Sequence, residues 1–247
     1  MKKSLFGILF ISALFLSLPT RAQFIKSMQL LTPHYYPGIV YFQDGHHEEY
    51  AEIELPRTGK GAIGVKKTGD EKKHTDIDAA DIMGIKFWHK DFPENVHVLY
   101  YVHARKMLSI SEHQWGNPVM GSEWGVVFQC EINYEVDKKT GDLHFVKFVG
   151  GNSPDTPTLY YLVRREWDLA ELVMIDGRFA ELKRNVSKLF EEKPEIANGI
   201  RKGKLKGSDM QYILDEMAGG KKVETPVETI PQVQTDSVSN GQIGDDE

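Results

Sequence analysis

The chain has 247 residues, with 30 Lys and Arg against 36 Asp and Glu, and a single cysteine. One thiol excludes an intramolecular disulfide, so stability must come from a packed core of ordinary size. The net charge of −6 makes the protein a poor candidate for binding nucleic acid or anionic membrane surfaces.

The first 22 residues read as a secretory signal peptide. Lys2 and Lys3 precede an apolar run from Leu5 to Leu18, and Thr20-Arg21-Ala22 puts small residues at −3 and −1 of a cleavage site before Gln23. The run is short of the roughly 20 apolar residues that span a bilayer. No cysteine follows it to carry a lipid, and no later segment is apolar enough to span. Removing Lys2, Lys3 and Arg21 would take the formal charge from −6 to −9.

The mature chain begins with a Pro- and Tyr-rich lead-in. Gly38–Phe42 and His47–Leu55 then read as strands joined at Asp44-Gly45, a two-residue type I′ hairpin signal. Ala62–Lys67 and His74–Asp78 form a second pair, Ala79–Ile82 a helical turn, and Gly84–His89 a strand. A turn is expected at Asp91–Asn95. In the strand Val96–Ala104, Val96, Val98, Tyr100, Val102 and Ala104 share one face; His97, Leu99, Tyr101 and His103 share the other.

Met107–Ser122, with Trp115-Gly116-Asn117-Pro118, reads as the longest loop of the β region, and long loops in compact domains are often functional. Trp124–Val136 reads as one long strand. Trp124, Val126, Phe128, Cys130, Ile132, Tyr134 and Val136 line its dry face, and Gln129, Glu131, Asn133 and Glu135 its wet one. Mid-strand on the dry face, Cys130 reads as a small buried hydrophobe. The return strand Leu143–Val149 has two registers that differ by one residue: Leu143, Phe145 and Val149 inward, or Val146 and Phe148 inward. Leu159–Val163 and Leu172–Ile175 complete the β region.

The period then changes to about 3.6. Asp176-Gly177 is read as the start of a helix over 178–190, striped by Phe179, Leu182, Val186 and Leu189. Pro194 opens a second helix with Ile196, Ala197 and Ile200 inside. Ser208-Asp209-Met210-Gln211 fits a capping box for a third, with Met210, Ile213, Leu214 and Met217 on its stripe, and Gly219-Gly220 ends it. From 219 onward the chain is aperiodic and acidic, the composition of a disordered tail.

The expected fold is mainly β (α+β): an antiparallel sandwich or barrel-like body of about nine or ten strands over residues 23–175, then two or three C-terminal helices over 176–218.

Two stretches carry a resemblance. Gly38-Ile39-Val40 with Asp44-Gly45 is followed by Ile77-Asp78-Ala79-Ala80-Asp81-Ile82. Later comes Leu189-Phe190-Glu191-Glu192-Lys193-Pro194-Glu195-Ile196 with Ile200, Gly203, Asp209 and Ile213. Together they resemble uncharacterised exported β-rich proteins of Bacteroidota-type bacteria. The resemblance implies the periplasm or beyond and carries over no catalytic residue. In such bacteria Asp-Ser/Thr-apolar marks O-glycosylation, a pattern that Asp236-Ser237-Val238 fits.

Few constellations point to chemistry. His46-His47-Glu48-Glu49 is the most metal-like, but alternating strand faces split it. His97 and His103 lie roughly 20 Å apart along a strand, and Glu131 and Glu135 about 13 Å. The latter exceeds glycosidase carboxylate spacings. No nucleophile elbow, Walker loop or zinc signature occurs. The expectation is therefore no catalytic residue, no metal and no cofactor. Trp115, Trp124 and Asn117 are the candidate ligand-binding residues, suited to a carbohydrate or protein ligand. A non-catalytic binding or envelope-associated module is the first reading. The alternatives are a periplasmic hydrolase or isomerase assembled from separate strands, and a structural partner docking through its C-terminal helices.

Overall fold

The computed structural model describes residues 33–57, 61–105, 111–131, 133–145, 157–164, 166–180 and 183–220. The expected signal peptide, the tail beyond 220 with its Asp236-Ser237-Val238, residues 107–110 of the expected loop, Ile132 and Leu182 lie outside them.

The fold is mainly β, in agreement with the sequence. The strands are β1 (Tyr35–Phe42), β2 (His47–Glu54), β3 (Ala62–Lys66), β4 (Thr75–Asp78), β5 (Ile82–His89), β6 (Phe92–Arg105), β7 (Ser111–Gly121), β8 (Val126–Cys130), β9 (Tyr134–Val136), β10 (Leu143–Phe145), β11 (Leu159–Val163), β12 (Ala170–Ile175) and β13 (Arg178–Phe179). Helices α1 (Lys183–Lys188), α2 (Pro194–Arg201) and α3 (Met210–Met217) follow. The helical turn read at Ala79 is a short 3-10 turn, Ala79–Asp81, capped by Asp78.

β6, β7, β8, β11 and β12 pair in turn, each antiparallel to the last, and β12 then pairs with β6 through Ala170–Ala104 and Glu171–Arg105. Four antiparallel steps restore the starting direction, so the closing pair has to be parallel, and it is. These strands make a closed barrel. Val102, Ala104, Phe128, Cys130, Tyr161 and Ala170 form the cluster that fills it. Outside, Val127, Leu162, Val173 and Met174 are covered by Val186, Phe190, Ile196, Ile200, Met210, Ile213 and Leu214 of the helical section.

β6 is 14 residues long. Its C-terminal half belongs to the barrel. Its N-terminal half carries an extension in the order β5-β1-β2-β3-β4. The extension has its own core, built on Val40, Ile53, Ile63, Val65, Ile82, Ile85, Phe87 and Leu99, and Tyr134 and Val136 of the small β9–β10 ribbon pack into it.

Several expectations change. Trp124–Val136 is two strands in different sheets, not one. The chain turns out of the barrel at Glu131–Asn133, where the Tyr134 hydroxyl accepts from the Glu131 amide at 3.2 Å and donates to the Trp115 carbonyl at 2.5 Å. β8 also has no wet face over Val127, because the helices cover the side opposite the barrel interior. The expected loop is mostly strand β7. Gly116 reads as a turn residue but is a packing residue: a Cβ there would lie 2.8 Å from Cys130 Sγ. Pro118 sits next to a register shift, where a strand tolerates proline. The turn expected at Asp91–Asn95 is confined to Lys90-Asp91, and β6 starts at Phe92. The β9–β10 pairing of Leu143 with Val136 and Phe145 with Tyr134 turns Leu143 and Phe145 inward, as in the first of the two registers, while Val146, Phe148 and Val149 lie outside the described residues.

The two Asp-Gly pairs exchange roles. At Asp44-Gly45 only the glycine has positive φ (91°), and the Gly45 amide bonds to Phe42 O while the Phe42 amide bonds to His46 O. That is a three-residue loop with a glycine bulge, not a type I′ turn. Asp176-Gly177 is read as a helix start, but both residues have positive φ (49° and 70°) and they join β12 to β13 as the two-residue I′ turn. The first helix is accordingly short. Ser208 is not an N-cap: α3 follows a 3-10 turn at Gly207–Asp209, and Asp209 accepts from the Lys206 amide at 2.7 Å. Gln211, expected at the box's N3 position, instead reaches the barrel. Its side-chain amide donates to Gly121 O at 2.9 Å and accepts from Gly121 N at 3.2 Å.

Candidate functional site

The sequence candidates fall at two places. Trp115 and Asn117 share the outer face of β7, while Trp124 precedes β8 and packs against the helices.

Cross-strand register builds the first place. β6 and β7 pair His103 with His113 and Tyr101 with Trp115. All four side chains point away from the barrel interior, and their rings form a row. His103 stacks on His113 at 4.3 Å between centroids with planes 12° apart. His113 stacks on Tyr101 at 4.8 Å and 9°, and Tyr101 meets Trp115 at 5.0 Å, tilted by 47°. The row leads from core to water. Trp115 is 9% exposed and belongs to the extension's core, Tyr101 is half-buried, and both histidines are exposed. Asn117, one step further along the face, is half-buried opposite Gln129 on β8.

Burial, then the neighbouring His103, lowers the His113 pKa from 6.5, so its neutral imidazole is favoured. Burial and Asp78 raise that of Tyr101, so its hydroxyl remains protonated. Nearly parallel stacked imidazoles place their lone pairs in separate planes, so in this arrangement the two histidines cannot share an ion. Among the described residues no group of three or more His, Cys, Asp or Glu could hold a metal ion.

Trp124 has a bracing role. The Arg164 guanidinium lies 4.2 Å from its ring centre and 5.3 Å from that of Trp167. Trp124 stacks on Phe190 at 5.4 Å, and its indole N–H donates to Glu192 at 3.1 Å. Arg164 also pairs with Glu192, at 2.5 Å, and with Glu166. The arrangement ties β11 and the β8 entry to the α1–α2 connection.

The remaining titratable clusters are neutralised from within. Glu48 accepts from Tyr50 and Lys67, and these bonds hold its pKa below the ordinary value. Burial raises that of Glu52, but hydrogen bonds from Lys66 and His74 outweigh it and the net shift is downward. Buried Glu54 pairs with Arg57 at 2.7 Å. His46 contacts Asp44 and stacks on Phe42, so the metal-like run disperses. His97 donates to the Gly141 carbonyl at 2.7 Å. Glu131 accepts from Thr158 at 2.6 Å and does not share a strand with Glu135. Burial, then Glu131, raises the thiol pKa of Cys130, which disfavours its nucleophilic form.

Alternation puts Tyr101 and His103 on one face of β6, but His113 escapes it because the segment that holds it reads as a loop. Arg164 and Trp167 went unnoticed; their only signal was a second tryptophan near an arginine. No family model, curated protein or solved structure matches the chain.

Proposed function

We propose that this protein is an exported, non-catalytic binding module of a bacterial envelope, of the kind its sequence resembles, and that the ring row of β6 and β7 contacts its ligand. The observation that carries the reading is the stacked pair His103–His113, which continues Trp115 and Tyr101 into solvent. Both histidines are exposed, so neither fills the barrel or the extension's core. The row offers ring surfaces, imidazole donors and acceptors, and the amides of Asn117 and Gln129 on one sheet face. That combination suits a carbohydrate, whose C–H faces lie against rings while its hydroxyls bond to amides and imidazoles.

The carboxylates with lowered pKa, such as Glu48, Glu52 and Glu192, owe it to donors that fix them in place. A general acid needs the opposite shift. Glu171 is raised by burial, but its near partner is Arg105, at 3.1 Å. The apolar residues that would dock a protein partner, Leu189, Ile213 and Met217, pack against the barrel instead.

The test is calorimetric titration against a panel of envelope polysaccharide fragments. The wild type is expected to bind at least one fragment, and the His103→Ala/His113→Ala variant to bind it at least tenfold more weakly while melting at the same temperature. Undiminished binding by the variant would remove the ring row from the proposal. Turnover of any fragment would replace the binding module with an enzyme.

A further inference from the structure

The acidic total conceals a separation of charge. Residues 178–206 carry nine Lys and Arg against four Asp and Glu, which leaves 21 against 32 for the rest of the chain. Packing gathers this excess. Gly207 lies so close to the β12–β13 turn that a Cβ on it would fall 2.1 Å from Gly177 O. That approach brings Lys206, the residue before Gly207, to the turn that Arg178 follows. Lys183 at the start of α1 puts its ammonium 3.7 Å from where a Cβ on Gly203 would be. Arg178, Lys183, Arg201, Lys202, Lys204 and Lys206 are all exposed.

In the β body Arg57, Lys66, Lys67, Arg105 and Arg164 each hold a carboxylate, and the described cations that hold none are spread over separate turns and strands. Among the described residues, Arg178, Lys183, Arg201, Lys202 and Lys204 hold none. Unpaired like charges gathered at one end repel one another and give the fold nothing in return.

We propose that this basic end is a docking surface for the phosphate-rich face of an anionic bilayer. The cations come from the β12–β13 turn, the start of α1 and the loop after α2, and most are lysines. Flexible point charges drawn from separate segments suit a field of phosphates better than one fitted anion, which would call for bidentate arginine forks. No helix among the described residues is long and apolar enough to cross a membrane. The surface is separate from the ring row and does not depend on it.

The test is co-sedimentation of the purified protein with two kinds of vesicle, phosphatidylcholine alone and equal parts phosphatidylglycerol and phosphatidylcholine. The protein should pellet with the anionic vesicles only. It should be released as salt rises from about 0.1 M to about 1 M, where the Debye length falls from ~10 Å to ~3 Å. The Lys183→Glu/Lys202→Glu/Lys204→Glu variant should lose at least tenfold in bound fraction with an unchanged melting curve. The His103→Ala/His113→Ala variant should pellet like the wild type. Equal pelleting with both vesicles, undiminished pelleting of the triple variant, or retention on soluble heparin without pelleting on either vesicle would each overturn the proposal.

Discussion

The barrel and the extension share β6 but solve burial differently. In the barrel, β8, β11 and β12 are covered on both faces: Phe128, Cys130 and Tyr161 face the interior, while Val127, Leu162 and Val173 face the helices. In the extension one face is dry under the β9–β10 ribbon, and the other carries Glu52, Lys66 and their partners. A sheet covered on both sides has little surface left for recognition. The surfaces open to a ligand are therefore at the margins: the outer face where barrel passes into extension, which holds the ring row, and the end of the helical section at the β12–β13 turn, which holds the basic end.

The sharpest question about this comparison is whether the two regions unfold as one. Phe190 under the helices and Phe87 in the extension are both 0% exposed. Either, replaced by Ala, should cost about 3–5 kcal/mol. Because β6 runs through both cores, each variant should shift a single urea transition seen alike by tryptophan fluorescence and far-UV circular dichroism. Two separable transitions, each moved by only one variant, would make barrel and extension independent units.

A smaller effect tests the barrel interior. Gly116→Ala pushes a methyl group toward Cys130 Sγ and Phe128 Cβ, 2.8 and 2.9 Å away. Overpacking of this kind costs about 1–3 kcal/mol. Adding Cys130→Ala frees part of that space, so the double variant should be more stable than the two single losses predict. Strict additivity would mean that the methyl group points elsewhere.

The same contrast explains what could be read from sequence. Where one face is wet, alternation works: it separates Leu99 and Tyr101 of β6 from Tyr100, Val102 and Ala104, as the two cores do. From Trp124 to Val136 the alternation runs unbroken through two strands, β8 and β9, because nothing local marks the exit at Glu131. The sequence Trp115-Gly116-Asn117-Pro118 has turn composition, but Gly116 is there for close packing, which only the opposite strand reveals. The Asp-Gly pairs show the same limit, since loop length and flanking strands decide the turn type. The ring row requires the β6–β7 register, which a sequence read as a loop cannot supply.

The helical cover has a polar attachment that can be measured alone. Gln211→Ala removes both bonds to Gly121 and leaves a half-sheltered amide and carbonyl unpaired, at a cost of about 1–3 kcal/mol. Protease nicking near α3 should rise with that loss. An unchanged denaturation midpoint would show that water replaces the glutamine.

The finest distinction is by pH, and the two regions should respond in different windows. The folded pKa of His113 lies below its ordinary 6.5 because burial, then His103, disfavours its charge. On acidification the unfolded chain therefore takes up this proton first. The associated stability is complete above pH 6.5 and is lost as pH falls from there through the lowered folded value. Glu52 has its folded pKa below 4.5, since the bonds from Lys66 and His74 outweigh burial. Its contribution is complete above pH 4.5 and is lost as pH falls through its lowered folded value. Urea midpoints of His113→Gln and Glu52→Gln measured against the wild type from pH 7.5 to pH 3 separate the two. His113→Gln should become relatively more stable than the wild type only below pH 6.5. Glu52→Gln should be less stable at neutral pH and close the gap only below pH 4.5. If both gaps moved in one window, the ring row and the charged face would be coupled through β6, and the extension could not be treated as electrostatically separate from the margin where a ligand would bind.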